Sequence, residues 1–353
     1  MKNKIDSLET LRGFAALVVA FYHYPSTSFL HIKLGYLGVN FFFALSGFVI
    51  ALNYFDKITS LNNLIKFQIK RFFRLYPIHI FALFVILGIQ VLKLIVIKFF
   101  NFSSGNDAFS PDYWYTLKDF FNHLFLIQAV FNYGYAFSWN GAAWSISTEF
   151  YTYLIFGLLV VMIRNNKLLF VIILVSYIIF FNIAASFINI YFNPLFSMCL
   201  KTFFMGSLIF FIYEKIKFRI NDIVFMLLFI AAISFFTQYK NQFNLHFDVL
   251  FCIIILLVSI LRVDSLVSKL LNFSPFVYFG TISYSFYMIH QATLYLYVQI
   301  LKLIFKVNFL YEGGVTTNTG NPYYDTFITI SYIIISGVLA SMMYYYIENK
   351  FRK

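Results

Sequence analysis

Charge is what this chain has least of. Only 11% of its 353 residues are Asp, Glu, Lys or Arg, against about 25% in an ordinary soluble domain. So few charged side chains cannot coat a soluble body of this size, because its exposed apolar patches would associate. A soluble enzyme, a disordered chain and a nucleic-acid-binding module are therefore excluded. Cysteine is also scarce. Cys199 and Cys252 both lie in apolar stretches, so neither a disulfide framework nor a metal-ligand spacing is in view. Only six prolines occur, and no Pro-rich linker or internal repeat divides the chain. A cleavable signal is missing too. Lys2, Lys4 and Arg12 precede an apolar run, but Asp6 and Glu9 interrupt the basic region and no small-residue cleavage site follows Phe29. The first span is expected to be retained.

What is there is apolar surface: 61% hydrophobic and 23% aromatic residues. Spans of about 20 mostly apolar residues are predicted at 13–30, 36–55, 75–99, 144–163, 168–188, 196–213, 222–237, 246–261, 275–301 and 326–347. The predicted fold is an all-α, polytopic membrane bundle of about ten transmembrane helices. An even count puts both termini on one side. With that side cytoplasmic, most basic residues, every arginine included, fall in cytoplasmic segments. The net charge of +12 is then mostly a matter of orientation. The apolar middle of the outer stretch 101–140 is short for a span and reads as re-entrant or interfacial. The stretch 306–325, rich in Gly, Asn and Thr, reads as an outer loop. The expected domain organisation is one membrane domain over 1–353, in the inner (cytoplasmic) membrane.

Titratable groups inside spans are costly and are functional candidates by default. His23 falls about ten residues into the first predicted span. Arg12 precedes it by eleven residues, almost three whole turns, so the two share a face roughly 16 Å apart. A fixed cation at the cytoplasmic mouth and a titratable base below it suit a long ligand with an anionic head and a reactive tip. An acyl-CoA has that form, and histidine titrates near neutrality as a general base should. Arg71 and Arg74, at i and i+3 in KRFFRLYP, can clamp phosphates, although cytoplasmic anchoring explains them equally well. Glu149, in WSISTEFYTYLIF, has no neighbouring cation in sequence. It is a candidate to orient a histidine or take a proton, against the plainer reading of a structural carboxyl. Trp144 and Ser147 precede it, as an interfacial anchor or a sugar-stacking surface. Ser283, Tyr287 and His290 share a face of the ninth span, which makes Tyr287 and His290 candidates beside an acceptor. Gly38, Ser46 and Gly47 are read as packing positions. No metal is expected.

These stretches together resemble the bacterial membrane acyltransferase-3 family, whose members O-acylate surface glycans. SLETLRGFAALVVAFYH, LGVNFFFALSGFVI, KRFFRLYP, WSISTEFYTYLIF, GTISYSFYMIH and YYYIENKF occur in the family's order. The resemblance implies His23 as the essential catalytic residue, and WSISTEFYTYLIF resembles the segment with the family's acidic residue, here Glu149. It implies Arg12, Arg71 and Arg74 on the side of an acyl-CoA (acetyl-CoA) co-substrate. It also implies a glycan acceptor, such as a surface polysaccharide, O-antigen or lipid-linked oligosaccharide. Asn40 departs from a position that is often acidic. No fused extracytoplasmic hydrolase-like domain is expected, so either the spans or a separate partner would present the acceptor. Direct transfer and an acyl-enzyme relay both fit. The competing reading is a proton-coupled transporter or flippase of an anionic lipid or glycan, against which no two-half repeat is found.

Overall fold

The structure is a computed structural model that describes residues 5–23, 28–33, 35–100, 109, 115–131, 136–188, 193–238, 245–312 and 315–351. Its long helices are α1 (Asp6–His23), α2 (Tyr36–Tyr54), α3 (Leu61–Phe100), α5 (Trp144–Met162), α6 (Lys167–Ile188), α7 (Pro194–Lys215), α8 (Asp222–Gln238), α9 (Leu245–Ser259), α11 (Ser274–Leu303) and α12 (Pro322–Met343). Short helices α4 (Leu117–Leu124) and α10 (Leu266–Leu271) lie between them. α12 passes into a π-helical turn, Tyr344–Glu348, and a last short turn, Asn349–Phe351. Helix starts follow local chemistry. Asn193 and Asn321 cap α7 and α12 through their side-chain oxygens, with Pro194 and Pro322 at the first helical position. Thr116 caps α4.

The all-helical architecture is as expected, but the ten-span count is not. Among the described residues only five helices are long and apolar enough to cross a bilayer: Tyr36–Lys57, Leu61–Phe99, Gly141–Met162, Pro194–Lys215 and Pro322–Phe351. The other candidates fail for identifiable reasons. α1 carries Asp6, Glu9 and Arg12 within its 18 residues. α11 is interrupted by its Ser, Tyr and His stripe. Lys167–Phe180, Asp222–Ser234 and Phe247–Ser259, within α6, α8 and α9, are shorter apolar helical stretches among the described residues. The sidedness inferred from an even count falls with that count. Two boundaries also move. The third span, predicted from 75, is a helix from Leu61, so Arg71, Arg74 and Pro77 lie within it. The first span, predicted over 13–30, is a helix from Asp6 that ends at His23. Asp6 and Glu9 favour the early start through the helix dipole, and Pro25 follows two residues after the end. In the loop predicted at 306–325, strands β1 (Leu310–Glu312) and β2 (Val315–Asn318) pair antiparallel.

The core sits on α2, which packs against α1, α7 and α9. Gly47 lies against the backbone of Phe203, and Gly206 against the Ala44 carbonyl, so a Cβ at either would collide with main chain. These small residues let α2 and α7 touch through their backbones. Where α2, α7 and α9 meet, Lys201 Nζ pairs with Asp248 Oδ2 at 2.8 Å, and Asn40 Nδ2 donates to Asp248 Oδ1 at 3.3 Å, all three buried. Gly280 of α11 lies against the backbone of Glu9 and Thr10, and His290 lies beside His23, so α1 and α11 run in the same direction.

Candidate active site

A cavity of about 150 Å³ runs between α1, α2, α3, α5 and α11. Its lining goes from Ile5 to Arg12 along α1, from Asn53 back to Phe42 along α2, and from Ser283 to Tyr287 along α11. One end is therefore a charged mouth with Glu9, Arg12, Arg71 and Arg74. The other is a deep aromatic end with Phe42, Phe43 and Tyr287.

The three arginines meet at the mouth because two helices deliver them. Arg71 and Arg74 share a face of α3, and Arg12 comes from the second turn of α1. Arg71 is the most enclosed. Its Nη2 donates to the Tyr54 hydroxyl at 2.9 Å, and its guanidinium lies over the rings of Tyr54 and Phe67 at 5.0 and 5.6 Å. Its buried Nε has no hydrogen-bond partner among the described residues, which leaves a donor unused. Arg12 Nη1 donates to Glu9 Oε2 at 3.1 Å. Arg74, half-buried, lies within Coulombic reach of Glu9, Glu149 and Glu348.

Glu149 stands in the same cavity. Gln68 Nε2 donates to the Phe150 carbonyl at 3.0 Å, which fixes this level of α5 one turn from Arg71. Among the described residues no hydrogen bond joins Glu149 to His23. Glu149 Oε1 instead accepts from the Tyr153 hydroxyl at 2.5 Å, and Tyr153 is 2.8 Å from Ser46 Oγ. The Glu149–Tyr153 spacing of i, i+4 makes this pair legible in sequence. Ser46 was read as packing alone, yet it lines the cavity.

His23 pairs with His290. His23 Nδ1 is 2.8 Å from the Val19 carbonyl and 3.4 Å from His290 Nε2, and His290 Nδ1 is 2.6 Å from the Tyr287 carbonyl. A carbonyl only accepts, so both Nδ1 atoms carry hydrogen in the neutral rings. His290 Nε2 then accepts from His23 Nδ1–H, and the His23 Nε2 lone pair is left free. Tyr287 links this pair to the cavity. Its hydroxyl accepts from Ser145 Oγ at 3.0 Å, and its ring meets Phe42 edge to face at 5.7 Å.

Trp144 and Ser147 lie outside the cavity lining. Trp144 packs on Phe43 and Phe137, and Ser147 Oγ donates to the Leu126 carbonyl at 2.6 Å while accepting from Ala129 N–H. The buried Lys201–Asp248 pair was not singled out from sequence. The signal that marks it is the one applied to Glu149, a charge inside an apolar stretch. Among the described residues no group of three or more His, Cys, Asp or Glu gathers to hold a metal.

A family model described as an acyltransferase domain matches residues 5–347. The chain belongs to this acyltransferase family. Its long apolar helices make it a multi-pass protein of the inner membrane. Among its relatives, O-acetyltransferase OatA of Staphylococcus aureus (strain NCTC 8325 / PS 47) is 23% identical over 379 residues, covering 99% of this chain and 57% of the relative. A putative O-acetyltransferase of Staphylococcus aureus strain COL is 25% identical over 382 residues, with the same coverage of 99% and 57%. The chain thus spans a little over half the length of these curated relatives. No solved structure matches it.

Proposed function

We propose that the protein is an O-acyltransferase that moves an acyl group, in the first instance acetyl, from acyl-CoA to a hydroxyl of a cell-surface or lipid-linked glycan. The observation that carries this reading is the cavity, whose mouth holds three arginines and whose deep end stops at Tyr287, against the paired histidines. The names of the two relatives, both O-acetyltransferases, support acetyl as the group and oxygen as its acceptor.

Arg12, Arg71 and Arg74 hold the donor's phosphates by charge-assisted hydrogen bonds. Basic residues gather at this mouth, which favours its opening to the cytoplasm, where acyl-CoA is found. The thin pantetheine arm follows the wall past Ser46, Glu149 and Tyr153, and the thioester reaches the level of Tyr287. Phe42 and Tyr287 separate it from His23 until their rings part. The acceptor oxygen then attacks the thioester carbonyl as its proton passes to His23 Nε2. The C–S bond breaks, and the departing thiolate takes up that proton. His290 and the Val19 carbonyl keep the proton of the resting ring on Nδ1, so Nε2 is the basic atom. The acceptor is a hydroxyl of a surface polysaccharide, O-antigen or lipid-linked oligosaccharide.

Purified protein given acetyl-CoA and a glycan acceptor should release CoA thiol in step with glycan acetylation. Cells without the chain should lack that acetyl group on their surface glycans. Movement of glycan across vesicles with no thiol release would overturn the reading in favour of transport.

A further inference from the structure

The YYYIENKF stretch takes no part in the transfer as described, yet it packs a buried carboxyl against α3, the helix that carries Arg71 and Arg74. Glu348 is only 3% exposed and ends the π-helical turn Tyr344–Glu348. Such turns recur at functional sites because they re-aim one side chain. Ser285 Oγ donates to Glu348 Oε2 at 2.7 Å. The neighbour of Ser285, Tyr284, donates its hydroxyl to the Leu75 carbonyl, next to Arg74. On the other flank, Phe351 stacks parallel on Phe73 with ring centres 6.4 Å apart. The end of α12 and the middle of α11 are thus fastened to α3 on both sides of Arg74, and Arg74 lies within Coulombic reach of Glu348.

A buried carboxylate beside a site for a polyanion repels the ligand unless it serves a cation already there. We propose that Glu348 is a positioning residue for Arg74: held by Ser285, it keeps the guanidinium ordered and turned to the cavity before the phosphates arrive. The inference rests on the proposed acyl-CoA site. It assigns Glu348 to donor binding and not to the chemistry at His23.

The test is the dissociation constant of CoA for the purified full chain in detergent, which needs no acceptor. Glu348→Gln should weaken CoA binding about tenfold, the size of one lost charge-assisted contact. Glu348→Asp should recover part of the loss, and Ser285→Ala should shift it in the same direction by less. In the Arg74→Ala background, Glu348→Gln should add almost nothing. With saturating acetyl-CoA the Glu348→Gln turnover should stay near wild type, which a general folding defect would not permit. Unchanged CoA affinity in Glu348→Gln, or losses that add fully with Arg74→Ala, would overturn the assignment. Wild-type protein that binds no CoA would remove the proposed function and this inference together, whereas wild-type binding with an indifferent Glu348 removes the inference alone.

Discussion

His23 and His290 form a pair across two parallel helices, with His23 Nδ1 3.4 Å from His290 Nε2 and both rings tied to backbone carbonyls through Nδ1. The pair ends α1 and lies behind Tyr287, at the far side of the cavity from the arginines. In the proposed function that separation divides the site into a part that binds and a part that reacts. The two should respond differently to substitution.

His23→Ala should lower acetyl transfer to background, a loss on the order of 10²–10⁴-fold for a general base. The variant should still appear in the membrane fraction at wild-type levels. Undiminished thiol release with acetyl-CoA and acceptor would exclude His23 as the base.

In the proposed mechanism His290 acts through His23, so its loss should cost less. His290→Gln keeps an acceptor that His23 Nδ1–H can use, and His290→Leu does not. Turnover should fall in the order wild type, Gln, Leu, with the Michaelis constant for acetyl-CoA little changed. Equal activity of the two variants would remove the tautomer argument.

Arg74→Ala should raise the Michaelis constant for acetyl-CoA by about 10- to 100-fold and leave turnover at saturation much less affected, because the contact is remote from the reacting atoms. Loss of acceptor recognition alone would place the donor elsewhere.

Glu149 and Tyr153 share a 2.5 Å hydrogen bond inside the cavity. Glu149→Gln removes the charge from that pairing and Tyr153→Phe removes its donor, so both should reduce transfer, and the double variant should fall short of the sum of the two losses. Thiol-release rates for the three variants check this. Full activity of Glu149→Gln would return the residue to a structural role.

The Lys201–Asp248 pair is buried at 2.8 Å between α7 and α9. Lys201→Met leaves a carboxylate without its cation and should cost about 3–5 kcal/mol, whereas Lys201→Met with Asp248→Leu should recover much of it. Thermal unfolding in detergent would measure both. A double variant as unstable as the single one would point to a role beyond pairing.

Much of the mouth of the site was legible in the chain. Arg71 and Arg74 are three residues apart and Arg12 and His23 eleven apart, and helical periodicity alone puts each pair on one face. Glu149 was legible as an unexplained carboxyl in an apolar stretch, but its place was not. A tie between α3 and α5, Gln68 to the Phe150 carbonyl, sets its level, and it lines one cavity with the arginines. The span count also differed: among the described residues five helices are long and apolar enough to cross a bilayer, where ten spans were expected.

The sequence by itself determined that this is an all-helical membrane protein of the acyltransferase family, because composition and local periodicity are properties of the chain. Only tertiary structure decided three of the partnerships: His290 for His23, Asp248 for Lys201, and Ser285 for Glu348. Each of these contacts joins residues far apart in the chain, and no local rule fixes which helices adjoin. Their neighbours are set by where glycines such as Gly47, Gly206 and Gly280 let backbones touch. Packing of that kind is a global compromise among all the helices, and it is what turns scattered polar residues into one site.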